Sequence, residues 1–170
     1  MGSGVLVDEQ VVLTNWHVVR DNPSSVEVRF GGKRSVVGKF IAADNDWDVA
    51  IIAVAAGHGV KPVRIANRNP GRGDGLTIAG YGPTRTVYRE QSGQFIQYLS
   101  PAGLSTYELI ELSATARDGD SGGPILNSKG EVAGILFGTV DGTTSGCGAT
   151  RLREILGRPA VRLKGIRCDE

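Results

Sequence analysis

Short apolar runs, each closed within a few residues by Asp, Asn, Pro or Gly, dominate the first part of the chain: Val5–Val7, Val11–Leu13, Val26–Phe30, Val36–Ile41 and Val49–Val54. The third alternates apolar and polar positions with a period of two, the signature of a strand with one face inward and one in water. Runs this short, separated by turn residues, predict the strands of an all-β barrel or sandwich. Asn67–Asp74 (NRNPGRGD) carries no such run but has Pro70 and several turn-prone dipeptides, which marks it as a join between two halves. Strand signals resume at Leu76–Ala79, then at Arg85–Tyr88 and Phe95–Leu99, which flank Ser92-Gly93 as an expected hairpin turn. Tyr107–Leu112, Pro124–Leu126 and Glu131–Phe137 follow, and only Arg151–Leu156 suggests a helical turn. About five strands fall in residues 1–66 and five or six in 75–152, so two similar all-β halves are the simplest architecture. No sequence repeat relates them.

Composition narrows the function. With 170 residues, 40% of them hydrophobic and 22% charged, the chain has enough apolar material for a packed core, which excludes disorder as its main state. Lys and Arg number 19 against 18 for Asp and Glu, so there is no basic field to attract nucleic acid or an anionic membrane. No apolar run approaches the ~18–20 residues of a membrane-spanning helix. The first residues lack the basic and apolar regions of a signal peptide, so a soluble chain is expected, with its compartment left open. Two cysteines, Cys147 and Cys168, are too few for a disulfide framework. Two histidines and no paired metal-ligand spacing argue against a metal, and no cofactor is expected. The 25 glycines lie between β-branched runs, as tight turns require.

Three places concentrate the chemistry. Gly119-Asp120-Ser121-Gly122-Gly123-Pro124 would arise by chance in only about 10⁻⁵ of chains this long on average residue usage. Glycines on both sides of a serine free the backbone for conformations a side chain forbids, and let a substrate approach main-chain N–H groups. His17 closes an apolar strand in Thr14–Val19 (TNWHVV), and Asp48 abuts the apolar run Val49–Ile52, where an unpaired carboxylate is costly. Taken singly, each of these two is more simply a turn or core residue. Together with Ser121 they supply the nucleophile, the base and the anion that fixes the base's tautomer, which serine acyl transfer needs. Their order, His then Asp then Ser, excludes the subtilisin and α/β-hydrolase arrangements. His58, between Gly57 and Gly59 with no nucleophile nearby, reads as a surface residue.

The blocks TNWHVV, DWDVAII (Asp46–Ile52) and GDSGGPI (Gly119–Ile125) resemble those of the chymotrypsin-like serine peptidases, of trypsin or HtrA type, over nearly the whole chain. Leu76–Gly82 resembles the strand opening that family's second barrel, and Gly130–Gly138 the strand that pairs with substrate. The resemblance implies two packed six-stranded antiparallel β-barrels: residues 1–66 carrying His17 and Asp48, a linker at 67–74, residues 75–157 carrying Ser121, and a tail at 158–170. It implies Ser121 as nucleophile, His17 as base and then acid, Asp48 as the orienting carboxylate, and the N–H groups of Gly119 and Ser121 as the oxyanion hole. It places Thr115 on the floor of the substrate pocket, with Leu136, Phe137, Gly138, Gly146 and Gly148 on its walls. No carboxylate sits on that floor, so an uncharged residue of small to medium size is expected before the cleaved bond of a polypeptide substrate. Members of the family are often extracytoplasmic.

Departures from the family pattern matter too. Gly2-Ser3-Gly4 stands where the family has reached its second strand, so the first strand of the N-terminal barrel has no counterpart, and its sheet edge is open to a strand from a partner or another domain. The family's N-terminal Ile-Val partner for the aspartate before the nucleophile is absent, leaving Asp120 to another group such as Arg117. Neither Cys147 nor Cys168 matches the family's disulfide near the pocket. The leading expectation is a serine endopeptidase acting through an acyl-enzyme. The alternative is a latent or inactive protease-fold module that binds protein and needs a partner for activation.

Overall fold

A computed structural model describes residues 1–31, 34–84 and 86–159. In the first half, β1 (Val5–Asp8), β2 (Val11–Thr14), β3 (Val26–Phe30), β4 (Arg34–Asp44) and β5 (Val49–Ala53) form one antiparallel sheet in the order β1-β2-β5-β4-β3. All four residues of β2 and the first four of β5 are buried, which is why these runs read as continuously apolar. β3 and much of β4 are half in solvent and alternate instead. Irregularities in register within β1 (Leu6/Asp8) and within β4 (Phe40/Ala42) allow the sheet to curl. Among the described residues this half is a curled sheet of five strands, with β1 and β3 at its edges.

The second half closes fully. β6 (Gly75–Gly80), β7 (Arg89–Leu99), β8 (Leu109–Leu112), β9 (Pro124–Leu126), β10 (Val132–Val140) and β11 (Thr143–Gly148) make a six-stranded barrel in the order β10-β11-β8-β7-β6-β9. One expectation fails here. Ser92 and Gly93 are not a hairpin turn but lie within β7, paired with Thr77 and Leu76 of β6. A Cβ on Gly93 would stand 2.4 Å from the Ala114 nitrogen, so this glycine serves close approach of β7 to the segment that continues its neighbour β8, a use the sequence does not distinguish from a turn.

A short helix α1 (Trp16–Val19) follows β2, and α2 (Ala149–Leu156) follows β11, extending the expected helical turn by two residues at its start. Leu152 and Ile155 of α2 pack in one core with Leu13, Ile41, Trp47 and Ile51 of the first half and Ile135 of the second. Arg151 reinforces this seam, its guanidinium 4.5 Å from the Trp47 ring centroid and 2.5 Å from the Glu108 carboxylate. Separate apolar clusters fill each half: Leu76, Ile110 and Leu136 in the second, Leu6, Val12 and Ile52 in the first.

His58 is a second correction, being buried rather than at the surface. Its Nε2 lies 2.6 Å from the Glu9 carbonyl, its Nδ1 accepts the Val60 N–H, and its ring packs on Phe30. Cys147 is buried and, among the described residues, forms no disulfide, and burial raises its thiol pKa well above the usual range; Cys168 lies outside the described residues. Among the described residues no helix is long and apolar enough to cross a membrane.

Candidate active site

β2 delivers the chain to Asn15, whose extended backbone starts α1, so His17 sits one residue into the helix with its side chain exposed. Asp48 ends the turn before β5 with φ at +50°, left-handed and uncommon for a residue with a side chain. That conformation aims both carboxylate oxygens at one residue: Oδ1 accepts the His17 backbone N–H at 2.8 Å and Oδ2 meets Nδ1 at 2.5 Å. The Asp48 carbonyl in turn accepts from the Asn15 side-chain amide at 2.8 Å and the Trp16 N–H at 3.2 Å. Asn15 is fully buried, and among the described residues its Oδ1 has no hydrogen-bond partner.

Ser121 lies on the turn entering β9. The turn needs its glycines: φ is +88° at Gly119 and +87° at Gly122, and a Cβ at Gly119 would stand 2.4 Å from the Gly82 carbonyl oxygen. A Cβ at Gly122 would be 2.3 Å from Thr14 Oγ1 and 3.1 Å from the Asn15 nitrogen, so the serine turn lies against the segment that leads into His17. The Ser121 hydroxyl donates to the Phe137 carbonyl of β10 at 3.2 Å. Among the described residues it makes no hydrogen bond to His17, and the N–H groups of Gly119 and Ser121 have no protein acceptor.

Asp120 points away from Ser121 into the second barrel and is 4% exposed. Arg117 is its partner, as one of the expectations had it: Nη2 donates to Oδ1 at 2.9 Å and Nε to Oδ2 at 3.0 Å. The backbone N–H groups of Gly82 and Arg117 complete the set. Burial alone would raise the carboxyl's pKa, but the hydrogen bonds and charge of Arg117, with the Gly82 N–H, outweigh it and hold Asp120 below its ordinary value.

The residues expected at the pocket lie in different surroundings. Gly138 borders open space, and the Thr115 hydroxyl donates to the Gly142 carbonyl at 2.8 Å beside the turn. Leu136 is fully buried in the core of the second barrel. Phe137 presents its carbonyl to Ser121, while its side chain packs on the core between the halves. A Cβ at Gly146 would strike the Ile135 carbonyl, and one at Gly148 would strike Asn69 and the Glu108 carbonyl, so both glycines serve strand approach. Thr139 and Thr144, which the motif reading missed, both accept the Ala116 N–H through their hydroxyls, at 3.1 and 2.9 Å. Among the described residues no group of three or more His, Cys, Asp or Glu is arranged to hold a metal.

Residues 2–135 match the family model of the trypsin-like peptidase domain. The chain belongs to that family. Within it, the chain is 29% identical over 142 residues to Protease Do-like 2, chloroplastic, of Arabidopsis thaliana, covering 80% of this chain and 23% of that protein. It is 32% identical over 162 residues to the glutamyl endopeptidase of Staphylococcus epidermidis, covering 82% of this chain and 55% of that one. The trypsin-like domain thus spans about a quarter to a half of the length of these relatives. Among solved structures, the inactive form of the Rv3671c protease superposes with a TM-score of 0.78 at 25% identity, covering 91% of this chain and 81% of the other.

Proposed function

We propose that this trypsin-like domain is a serine endopeptidase that cleaves polypeptides through an acyl-enzyme on Ser121. The observation that carries the reading is the Asp48 carboxylate bonded to both the backbone N–H and Nδ1 of His17, beside a glycine-framed serine. Asp48 thereby fixes Nδ1 as the protonated nitrogen and leaves Nε2 as the base. In this reading the Ser121 hydroxyl turns from the Phe137 carbonyl toward Nε2. The oxygen then attacks the substrate carbonyl as its proton passes to His17, and the imidazolium gives that proton to the leaving amine as the C–N bond breaks. Water, activated by the same histidine, hydrolyses the ester. The N–H groups of Gly119 and Ser121, which no protein acceptor occupies among the described residues, serve the oxyanion, where losing one donor costs about 3 kcal/mol of barrier.

For the residue before the cleaved bond we propose an uncharged side chain of small to medium size. The segments flanking Ser121 are held together by Thr115, Thr139 and Thr144, whose hydroxyls already bond to the Gly142 carbonyl, to Ala116 or to one another. Those groups offer neither a carboxylate for Lys or Arg nor a spare cation for Glu, so the specificity named for the staphylococcal relative is not expected here. The outer side of β1 receives the Val63 N–H at Leu6, so that edge is already partly engaged within the chain.

The test is labelling with a fluorophosphonate, with the adduct located by mass in the parent protein, Ser121→Ala and His17→Ala. Modification of Ser121 that requires His17 is expected; no modification at Ser121 overturns the peptidase reading in favour of a protein-binding module. Profiling with peptides ending in Ala, Val, Glu or Arg before the scissile bond tests the pocket, and preferred cleavage after Glu or Arg overturns that part.

A further inference from the structure

Beside the nucleophile turn, Ser3 is bonded through every polar group it has. It is 7% exposed. Its Oγ–H donates to the Gly119 carbonyl at 2.8 Å, and the same oxygen accepts the Tyr81 N–H at 3.1 Å. Its backbone N–H donates to the Ser121 carbonyl at 2.7 Å, and its carbonyl accepts from Thr14 Oγ1 at 2.7 Å. One residue thus reaches two points of the serine turn, the end of β6, and the last residue of β2 just before His17. The approach is close: a Cβ on Gly2 would stand 2.5 Å from the Ser121 carbonyl oxygen and 2.7 Å from Val18 Cγ2.

The Gly119 carbonyl belongs to the peptide plane joining Gly119 to Asp120. The N–H of that same plane donates to the Arg117 carbonyl at 3.0 Å, so both of its polar groups are held. The neighbouring planes on either side carry the N–H of Gly119 and the N–H of Ser121, the two proposed oxyanion donors. Gly119, with φ at +88° and no side chain, offers little resistance of its own to rotation. We infer that Ser3 is a positioning residue for the oxyanion hole: its hydroxyl fixes the plane between the two donors, and its backbone ties the serine turn at Ser121 to the strand that delivers His17. It touches neither the Ser121 hydroxyl nor, in the proposed mechanism, the substrate. The inference rests on the serine peptidase reading above.

Loss of the hydroxyl strips the Gly119 carbonyl and the Tyr81 N–H of their partner in a buried site, and the plane turns toward another one. Misaimed donors weaken the bond to charge that develops only in the transition state, so kcat falls while ground-state binding persists. In Ser3→Ala, kcat is expected to drop about ten- to a hundredfold, short of the effect of deleting a donor outright. KM stays within about twofold, and the Ki of a peptide aldehyde, which binds as a tetrahedral adduct, rises by a factor comparable to the loss in kcat. Gly2→Ala keeps the hydroxyl but pushes this segment off the turn, and gives the same split. Ser113→Ala deletes a hydroxyl that accepts the Gln94 N–H in the second barrel and leaves kcat and Ki unchanged.

Unchanged kcat and aldehyde Ki in folded Ser3→Ala overturn the inference, as does a loss in kcat no larger than that of Ser113→Ala at matched thermal midpoint. Should Ser3→Ala fail to fold, Gly2→Ala decides by the same criteria. A parent protein whose Ser121 does not react with fluorophosphonate overturns the peptidase reading and this inference with it; an active parent with an indifferent Ser3→Ala overturns only the latter.

Discussion

Asp48 takes one unusual backbone angle, and the whole base assembly depends on it. At φ +50° its two oxygens reach the backbone and ring of His17 together, a placement an extended residue at the start of β5 could not offer. Asp48→Asn preserves shape but sets an amide against Nδ1, so the wrong tautomer is favoured. Its kcat is expected to fall about 10³- to 10⁴-fold with little change in thermal midpoint, and retention of activity within tenfold would refute the tautomer role. His58 shows the opposite outcome for the same residue type. Both its nitrogens are engaged by backbone groups of Glu9 and Val60, so His58→Ala is expected to lose about 1–3 kcal/mol of stability while kcat is unchanged, measured by denaturant unfolding and steady-state kinetics. In sequence the flanking glycines, Gly57 and Gly59, suggest an open loop; the packing of the ring on Phe30 and its bonds to Glu9 and Val60 show otherwise.

The turn from Arg117 to Gly123 is held from within by an ion pair three residues apart, with Gly82 and Gly80 of the neighbouring segment closing over it. The Asp120 carboxyl is held below its ordinary value, so folding favours its ionised form. Its contribution to stability is therefore complete above the ordinary carboxylate range and is lost as pH falls through the lowered folded-state value. Arg117→Gln removes the main support and should move the acid limit of stability upward, read from denaturant midpoints between pH 3 and 7; an unaltered pH profile would contradict this. Close approach also constrains the element: a Cβ at Gly123 would stand 2.1 Å from the Ala79 carbonyl oxygen. Gly123→Ala is expected to cost at least about 1–3 kcal/mol by forcing β9 and β6 apart, and an unchanged midpoint would show that the strands yield freely.

Over the whole molecule, the core that matters most is shared. Leu13 and Ile51 of the open sheet, Ile135 of the closed barrel and Leu152 of α2 pack together, so the halves cannot loosen independently. Leu152→Ala is expected to lose about 2–5 kcal/mol in one transition, seen alike by tryptophan fluorescence and far-UV circular dichroism, whereas two separated transitions would mean that the halves unfold apart. The strands were legible because each buries a face whose period shows in the order of apolar residues, as in Val26–Phe30, and because β2 and β5 are buried outright. His17, Asp48 and Ser121 were legible as candidates because their residue types and local glycines answer a definite chemical need. The placement of Gly93 inside β7, the burial of His58 and the bonds of Ser3 were not. Each depends on which distant segments meet: Gly93 on Ala114, His58 on Glu9, Ser3 on Gly119 and Tyr81. Local sequence determines the period of each strand and the chemistry each side chain can offer. Tertiary structure alone decides partners separated along the chain, because packing and hydrogen bonding act through space.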